Sequence, residues 1–252
     1  MDAETQPILA EAPVPASRTS RFAFARRFGP WPRRIGLALA GLAALPFVLT
    51  IFYTVIPPPA SVVMLTRAVS GNGLTKVWVS LDEMSPFLSR AVITSEDARF
   101  CEHNGVDWIE FQDVLDEVFD DGEGPVRGAS TIPMQTAKNL FLTDSRSLLR
   151  KGAEVPLAYW MDLLWSKRRM IEIYLNIVEW APGVYGAEAA ARHHFNKSAS
   201  KLTKREAALL AAVLPNPIKR TAGKPSKRVS RIATRIMVRM AGMGPYLTCL
   251  QK

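Results

Sequence analysis

An apolar segment near the N-terminus places the strongest constraint on how this chain can fold. Residues 35–56, IGLALAGLAALPFVLTIFYTVI, carry no charge, and a helix of about 20 such residues spans the hydrocarbon core of a bilayer. A buried core helix is the alternative, but a core helix of this length usually has a polar face. A cleaved signal peptide fits less well, because its apolar region has only about 7–15 residues. The sequence therefore predicts a transmembrane helix over residues 35–56, with Pro46 tolerated inside it.

The charges on the two sides of this segment predict its orientation. Six arginines precede residue 35, whereas the twenty residues after Ile56 contain only two basic residues, Arg67 and Lys76. By the positive-inside rule the N-terminus is cytoplasmic, and the chain beyond residue 57 lies on the outer side. Residues 1–34 mix Pro, Ala, Ser, Thr and Arg with little periodicity, so we expect a disordered cytoplasmic tail there.

The rest of the chain is expected to form a short connection followed by one main domain. Three consecutive prolines, at positions 57–59, cannot continue the helix, so residues 57–85 are interpreted as a stalk and juxtamembrane segment. Within this segment, KVWVSLDEM at residues 76–84 alternates apolar and polar side chains and predicts a short strand. Residues 86–252 form the main domain, and a chain with 48% hydrophobic residues can fill one sizeable core.

Beyond residue 86 the sequence patterns are helical. Pro86 suits a first helical turn, and apolar residues then recur at helical spacing, which places Glu96 and Asp97 at the C-terminal end of that helix. Arg168 and Glu172 are expected to pair as i,i+4 neighbours. Capping residues predict further helix starts at Ser145, Ser166 and Thr203. The predicted domain is therefore mainly α.

Three polar clusters are candidates for chemistry, and the first is at the end of that helix. It contains Glu96, Asp97, Arg99 and His103. The two acids fit either solvated charges at a helix end or a reactive site, and His103 fits either a core histidine or a catalytic group. Carboxylates at a helix C-terminus oppose the helix dipole, which disfavours their charged form. This position therefore suits a proton acceptor, although the pattern alone does not exclude the structural interpretation.

The second and third clusters are cationic. In RGASTIPMQTAKN, residues 127–139, backbone N–H groups and the Ser130 and Thr131 hydroxyls could bind an anion, and Lys138 adds a full charge. The spacing of a P-loop is missing. In RKGAE, helical spacing puts Arg150, Lys151 and Glu154 on one face, where a surface ion pair is the simpler alternative. Together the clusters favour one carboxylate acting as a base beside several cations that converge on phosphates.

Net charge and cysteine content narrow the possible partners. The formal charge of +9 is concentrated in a basic C-terminal stretch, but a domain outside the membrane meets no nucleic acid, so anionic lipid headgroups and phosphates are the expected partners. The sequence has no CxxC or HExxH pattern, and we expect no metal site built by the protein. Whether Cys101 and Cys249 pair stays open at this point.

Four segments, taken in order, resemble a known enzyme family. SEDARFCEHNGVD, GASTIPMQTAKNLFL, RKGAE and SKRRMIEIYLNIVEWAPGVYGAEAAARHHF are similar to the ordered motifs of the bacterial peptidoglycan glycosyltransferases, glycosyltransferase family 51. The resemblance covers about residues 57–242 and is to the monofunctional members, which have a single N-terminal anchor and no transpeptidase domain. It implies a lysozyme-like, mainly α glycosyltransferase domain, held in the inner membrane with its catalytic part in the periplasm.

The resemblance also implies a reaction. Members of the family polymerise lipid II into β-1,4-linked glycan strands by an inverting displacement that releases undecaprenyl diphosphate. Glu96 occupies the position of the general base, and Glu154 that of a second essential glutamate. The role of Glu154 is either to orient the cations or to hold a divalent ion, Mg²⁺ or Mn²⁺, that bridges the pyrophosphate. No cofactor is expected to be built into the protein.

The remaining site residues also come from the resemblance. The expected phosphate contacts are Lys138, Arg150 and Lys151, and the expected hydrogen-bonding residues are Ser130, Thr131 and Gln135. Pro133 departs from the family pattern; it removes one N–H and puts a backbone contact to substrate in doubt. In the fourth segment, Glu172, Tyr174 and Asn176 are assigned to architecture.

Two other functions remain as alternatives. A lysozyme-like glycan hydrolase or lytic transglycosylase would share the fold and would shorten finished glycan, with little use for Lys138, Arg150 and Lys151. A non-catalytic cell-wall scaffold would not depend on Glu96. For the glycosyltransferase, the expected partners are lipid II, the growing glycan strand, the membrane and proteins of cell division or elongation.

Overall fold

The computed structural model describes residues 31–113, 130–145 and 147–251, and over these residues it confirms a mainly α protein. The predicted tail, residues 1–34, falls outside this range except for its last four residues, which are helical. The helices are α1 Trp31–Phe52, α2 Val62–Val69, α3 Pro86–Glu96, α4 Ile132–Phe141, α5 Leu148–Leu164, α6 Lys167–Ile177, α7 Ala187–Phe195, α8 Lys204–Val213 and α9 Lys227–Gly242.

The first helix, α1, is long and apolar enough to cross a membrane. The predicted span, residues 35–56, overlaps it over residues 35–52. Contacts are divided between two compact units, residues 1–43 and residues 44–252. Within the second unit, side chains of the domain bind carbonyls near the end of the helix: the indole N–H groups of Trp160 and Trp165 donate to the carbonyls of Phe47 and Thr50, at 3.0 and 2.9 Å. The end of α1 is thereby attached to α5.

A small sheet has the strands β1 Thr75–Lys76, β2 Glu179–Ala181 and β3 Val184–Tyr185, in the order β1-β3-β2. β1 is parallel to β3, and β2 is antiparallel to it. The predicted strand over residues 76–84 is wrong beyond Lys76. The side chain of Asn176 bonds both the N–H and the carbonyl of Val79, and Glu172 accepts from the N–H of Leu81. Side chains of α6 therefore take the place of a neighbouring strand.

Two of the three predicted capping residues are correct. Ser166 caps α6, and Thr203 forms a capping box in front of α8. The helix predicted to start at Ser145 instead begins at Leu148. The expected pair of Arg168 with Glu172 is also wrong, because Arg168 binds Asp82 at 2.7 Å and Glu172 binds the neighbouring Arg169. Arg168 and Arg169 point to different sides of the helix, so Glu172 pairs with the arginine three residues before it and not with the one four residues before it.

The core is built around close helix contacts. α3 and α9 pack on α8, and α4 packs on α5 and α6. In α8 the alanines at 207, 208, 211 and 212 are all buried, and side chains of this size let neighbouring backbones approach closely. A disulfide between Cys101 and Cys249, with Cα atoms 5.6 Å apart, resolves the open question of their pairing and joins the segment after α3 to the C-terminal segment.

Candidate active site

Glu96 is the last residue of α3, and its carboxylate is half-buried beside α4. Burial raises its pKa, and the neighbouring carboxylate of Asp97 raises it further. Hydrogen bonds from Gln135 and Ser95 and the charge of Lys138 lower the pKa, but they do not outweigh the burial. A carboxylate in this setting accepts a proton more readily than one in water.

Gln135 holds this carboxylate in place. Its amide N–H₂ donates to Oε2 of Glu96 at 3.1 Å and to the carbonyl of Ser130 at 3.2 Å. The hydroxyl of the fully buried Tyr174 donates to the amide oxygen of Gln135 at 3.0 Å, which directs the amide N–H₂ group towards Glu96. Tyr174, assigned from the sequence to architecture, therefore orients a residue that touches the candidate base.

Asp97 and His103 have structural roles. Both are buried, and Nε2 of His103 lies 2.9 and 3.0 Å from the two carboxylate oxygens of Asp97. Oδ2 of Asp97 also accepts from the N–H of Ile132 at 2.9 Å, so a negative charge lies at the N-terminus of α4. Solvated charge is thus the wrong interpretation for Asp97, and the core histidine is the right one for His103.

The loop before α4 is fixed from two sides. Thr131 accepts from the N–H of Met134 as the helix cap and donates to the carbonyl of Gly105 at 2.6 Å. Gly105 has a positive φ of 88°, and a Cβ there would lie 2.8 Å from backbone atoms of Ala158, so only glycine fits. The Thr131 hydroxyl already makes two hydrogen bonds within the protein. Of Ser130 and Thr131, therefore, Ser130 has the hydroxyl that is available to the cleft. Pro133 lies in the first turn of α4, where a missing N–H costs nothing.

A cleft of about 130 Å³ opens in front of Glu96. Ser130 and Thr131 line it beside four carboxylates and two guanidinium groups, those of Glu96, Asp97, Asp107, Glu110, Arg99 and Arg239. Arg239 comes from α9, and sequence reasoning missed it as a site residue: it was one member of a basic stretch far along the chain. The only signal in the sequence that could have identified Arg239 was its helical spacing from the other cations of that stretch.

The predicted phosphate-binding cations form a second group around a buried carboxylate. Glu154 is 1% exposed; Arg150 donates to its Oε1, and Nζ of Lys151 lies 3.4 Å from its Oε2. Burial, followed by the charges of Arg150 and Lys138, lowers the pKa of Lys151 to about 8. Burial and the charge of Arg150 also lower the pKa of Lys138. Arg150 and Lys151 share the carboxylate of Glu154, and Lys138 adds a third positive charge close to them, an arrangement that favours binding of an anion.

Lys138 connects the two groups. Its ammonium interacts electrostatically with Glu96 on one side and with Arg150 on the other. The structure thus places the predicted site residues in two groups that share Lys138. The first group is Glu96, Ser130, Thr131, Gln135 and Lys138, and the second is Lys138, Arg150, Lys151 and Glu154. None of the three predicted phosphate-binding cations, Lys138, Arg150 and Lys151, is among the described residues that line the cleft in front of Glu96. The arrangement provides one proton acceptor next to a site for a multiply charged anion.

Known proteins resemble this chain over most of its length. The chain matches the family model described as Transglycosylase over residues 64–241. It is 52% identical over 223 residues to the biosynthetic peptidoglycan transglycosylase of Rhizobium etli, covering 88% of this chain and 94% of that protein. The proteins of the same name from Agrobacterium fabrum and Brucella suis are 50% and 48% identical, over 86% and 88% of this chain and 96% and 100% of their own lengths. The family match also confirms the predicted lysozyme-like, mainly α fold class. The chain therefore belongs to the transglycosylase family.

Proposed function

We propose that this chain is a peptidoglycan glycosyltransferase that polymerises lipid II into β-1,4-linked glycan strands for the cell wall. One observation carries the proposal: a half-buried carboxylate with a raised pKa, Glu96, is held by Gln135 and interacts with Lys138, whose ammonium in turn interacts with Arg150 and Lys151. The relatives are named for peptidoglycan transglycosylase activity, which supports the same substrate class.

The proposed reaction is an inverting displacement. Glu96 takes the proton from the 4-hydroxyl of the acceptor N-acetylglucosamine while that oxygen attacks the anomeric carbon of the donor N-acetylmuramic acid. The new bond is β-1,4; the bond from that carbon to the pyrophosphate breaks, and its electron pair leaves with undecaprenyl diphosphate. General-base assistance contributes about 10²–10⁴ in rate. The cations stabilise charge that develops on the leaving pyrophosphate, which is usually the larger contribution.

The cations distinguish this reaction from glycan hydrolysis. A hydrolase must protonate an alkoxide leaving group and therefore keeps a protonated carboxyl at the bond that it cleaves. Here Asp97 is bound by His103 and the N–H of Ile132, and Asp107 caps the start of the helical segment that follows it. A pyrophosphate leaves as a stabilised anion and needs positive charge instead, which Lys138, Arg150 and Lys151 supply.

The residues fit a divalent cation poorly. Within the described parts of the chain no three His, Cys, Asp or Glu side chains are grouped so that they could hold a metal ion, and the two oxygens of Glu154 already face Arg150 and Lys151. We therefore favour the orienting role for Glu154. Mg²⁺ or Mn²⁺, as part of this proposal, binds to pyrophosphate oxygens of the substrate rather than to the protein.

The proposed location is the inner membrane, with the N-terminus in the cytoplasm and the catalytic domain in the periplasm. α1 supplies an apolar helix of sufficient length. On α5, which holds the end of α1, Leu148, Leu149 and Leu163 are 91, 88 and 76% exposed, as expected for side chains that a membrane surface covers. The disulfide also supports an oxidising compartment.

The test is turnover of labelled lipid II by the purified full chain in detergent, with and without Mg²⁺. Wild type is expected to form polymer, and Glu96→Gln is expected to lose at least about 10²-fold in rate. Glu102→Gln, which removes an exposed carboxylate in the same segment, is the matched control and is expected to retain activity. Shortening of finished glycan without polymerisation would support the hydrolase, and full activity of Glu96→Gln would contradict the assignment of the base.

A further inference from the structure

The C-terminal helix α9 carries a row of cations on its exposed face. Lys227, Arg231, Arg235 and Arg239 are four residues apart, so neighbours lie one turn apart and the row winds about 120° around the helix, with Arg228 beside it. The opposite face, with Val229, Ala233, Ile236 and Met240, is buried. From Lys227 to Arg239 the row extends about 18 Å, at about 1.5 Å per residue. We call these five cations the arginine row.

Among the described residues, no carboxylate neutralises the middle of this row. Within residues 31–113, 130–145 and 147–251, no carboxylate forms an ion pair with Arg228, Arg231 or Arg235. Like charges one helical turn apart destabilise a helix, by about 0.2–0.5 kcal/mol for each pair. A cost of this kind is offset when an external anion binds across the row.

The row is accompanied by open space and ends at the candidate active site. Open space of about 630 Å³ lies over the exposed face of α9 at Arg228, Arg231, Thr234 and Arg235. At the other end of the row, Arg239 lines the cleft in front of Glu96. An anion bound over this face is therefore close to the path by which a polymer would enter or leave the cleft.

The position of the row favours a polymer over a lipid headgroup. The end of the membrane-spanning helix binds Trp160 and Trp165 of α5 and Arg169 of α6. α9 instead packs on α3 and α8. A lipid-binding row would be expected on the elements that hold the membrane end, whereas a row that leads out of the catalytic cleft suits the reaction's product.

We propose that the arginine row binds the carboxylates of the peptide stems on the glycan strand and keeps the strand on the enzyme between successive additions. This inference rests on the proposed function, because the stems belong to the polymer made from lipid II. Peptide stems repeat along the strand and carry carboxylates, so a row of guanidinium groups can hold them by charge-assisted hydrogen bonds. Its contribution is to strand retention, and the chemistry at Glu96 does not require it.

The first experiment measures binding without turnover. Labelled, uncross-linked glycan strands are titrated with the full chain in neutral detergent, and anisotropy gives Kd for strands with free stem carboxylates, with amidated carboxylates and with the stems removed. Wild type is expected to prefer the acidic strands by about tenfold, a factor typical of a few exposed ion pairs. The double variant Arg231→Gln, Arg235→Gln is expected to lose that preference. Lys204→Gln, Arg205→Gln, which removes two exposed cations from α8, is the matched control and should keep it.

Two outcomes would overturn the proposal. One is equal affinity of wild type and the arginine double variant for acidic strands. The other is displacement of bound strands from wild type by phosphatidylglycerol added to the micelles, which would assign the row to lipid. Failure of the proposed function is separate: it would appear as no lipid II consumption by wild type, whereas the double variant should consume lipid II within about twofold of wild type and make shorter strands.

Discussion

At the scale of single residues, the surroundings of Glu96 oppose its charge and so prepare it to accept a proton. It lies at the C-terminus of α3, next to Asp97, and burial raises its pKa. Gln135 fixes the carboxylate without supplying a positive charge, because an amide is neutral. The price of this arrangement is stability, since an ionised carboxylate in such a place is less favourable than in the unfolded chain.

Glu96→Gln is therefore expected to stabilise the protein at neutral pH while it removes activity. The folded-state pKa of Glu96 is raised, so its contribution to stability is greatest at low pH and is lost as pH rises through that pKa. Thermal unfolding at pH 7.5 should show a gain of about 2–4 °C for the variant. At pH 4, where Glu96 is protonated, the gain should shrink towards zero. A gain that is the same at both pH values, or that also appears in Glu102→Gln, would contradict this origin.

The lowered pKa of Lys151 predicts that activity falls as pH rises. Burial and two neighbouring cations lower its pKa to about 8, so the free enzyme loses a positive charge as pH rises through that value. If the charged form binds the pyrophosphate, kcat/KM for lipid II should fall roughly tenfold between pH 7 and pH 9. Lys151→Arg keeps the charge and should remove this decline, whereas Lys151→Gln should be weak throughout. An unchanged decline in Lys151→Arg would assign the titration to another group.

At the scale of secondary-structure elements, the site depends on how α3 and α4 meet. Asp97, just after α3, accepts from the N–H of Ile132 at the start of α4, and Thr131 attaches the same point to Gly105. These bonds set the position of Gln135, one turn further into α4, and so the position of its amide against Glu96. A buried polar network thus joins the two helices, and each of its residues affects where Gln135 lies relative to Glu96.

Asp97→Asn tests this joint. Asparagine has the same size but no charge, so it interacts less favourably with the N-terminus of α4 and with His103. The expected loss of stability is about 1–3 kcal/mol. Because α4 shifts, kcat is expected to fall on the order of tenfold, with a smaller change in KM. Denaturant unfolding and steady-state kinetics measure the two effects. Glu102→Gln, an exposed ion-pair partner, should change stability by less than about 1 kcal/mol. A loss of stability without any loss in kcat would show that the joint does not position the base.

The elements also show which features the sequence could predict. Helix starts at Pro86, Ser166 and Thr203 follow from contacts within a few residues, and all three were predicted correctly. The strand over residues 76–84 was not, because its partner is Asn176, a side chain 97 residues later than Val79. Local patterns do not contain that information.

The same limit applies to the candidate site. Glu96, Lys138 and the RKGAE group could be selected because each lies in a short motif with a chemical rationale. Tyr174 and Arg239 could not, since each reaches the site from a distant helix and only the fold shows what it contacts. The sequence thus indicated the charges of the site, and the structure added the residues that orient the base and extend the cleft.

At the scale of the whole molecule, one covalent bond joins distant parts of the main domain. Cys101 follows the helix that carries Glu96, and Cys249 lies in the C-terminal segment after α9, 148 residues later. Arg168 also donates to the carbonyl of Leu250, at 2.6 Å, in that segment. The disulfide therefore closes most of the domain into one loop, with the catalytic segment at one end and the helix that carries the arginine row near the other.

Removing this bond should destabilise the domain as a whole. Closure of a loop of this length is worth about 5 kcal/mol through the entropy of the unfolded chain, and measured effects are often smaller, so a decrease in Tm of about 10 °C is expected. Cys101→Ser, Cys249→Ser and the double variant should all show it, and so should reduced wild type, since each lacks the same bond. Because Cys101 is close in sequence to Glu96, lipid II turnover should decline at temperatures below the new Tm as the segment loosens. Equal Tm values for oxidised and reduced wild type would show that the cysteines are not joined in the folded protein, and would remove this support for a domain exposed to an oxidising compartment.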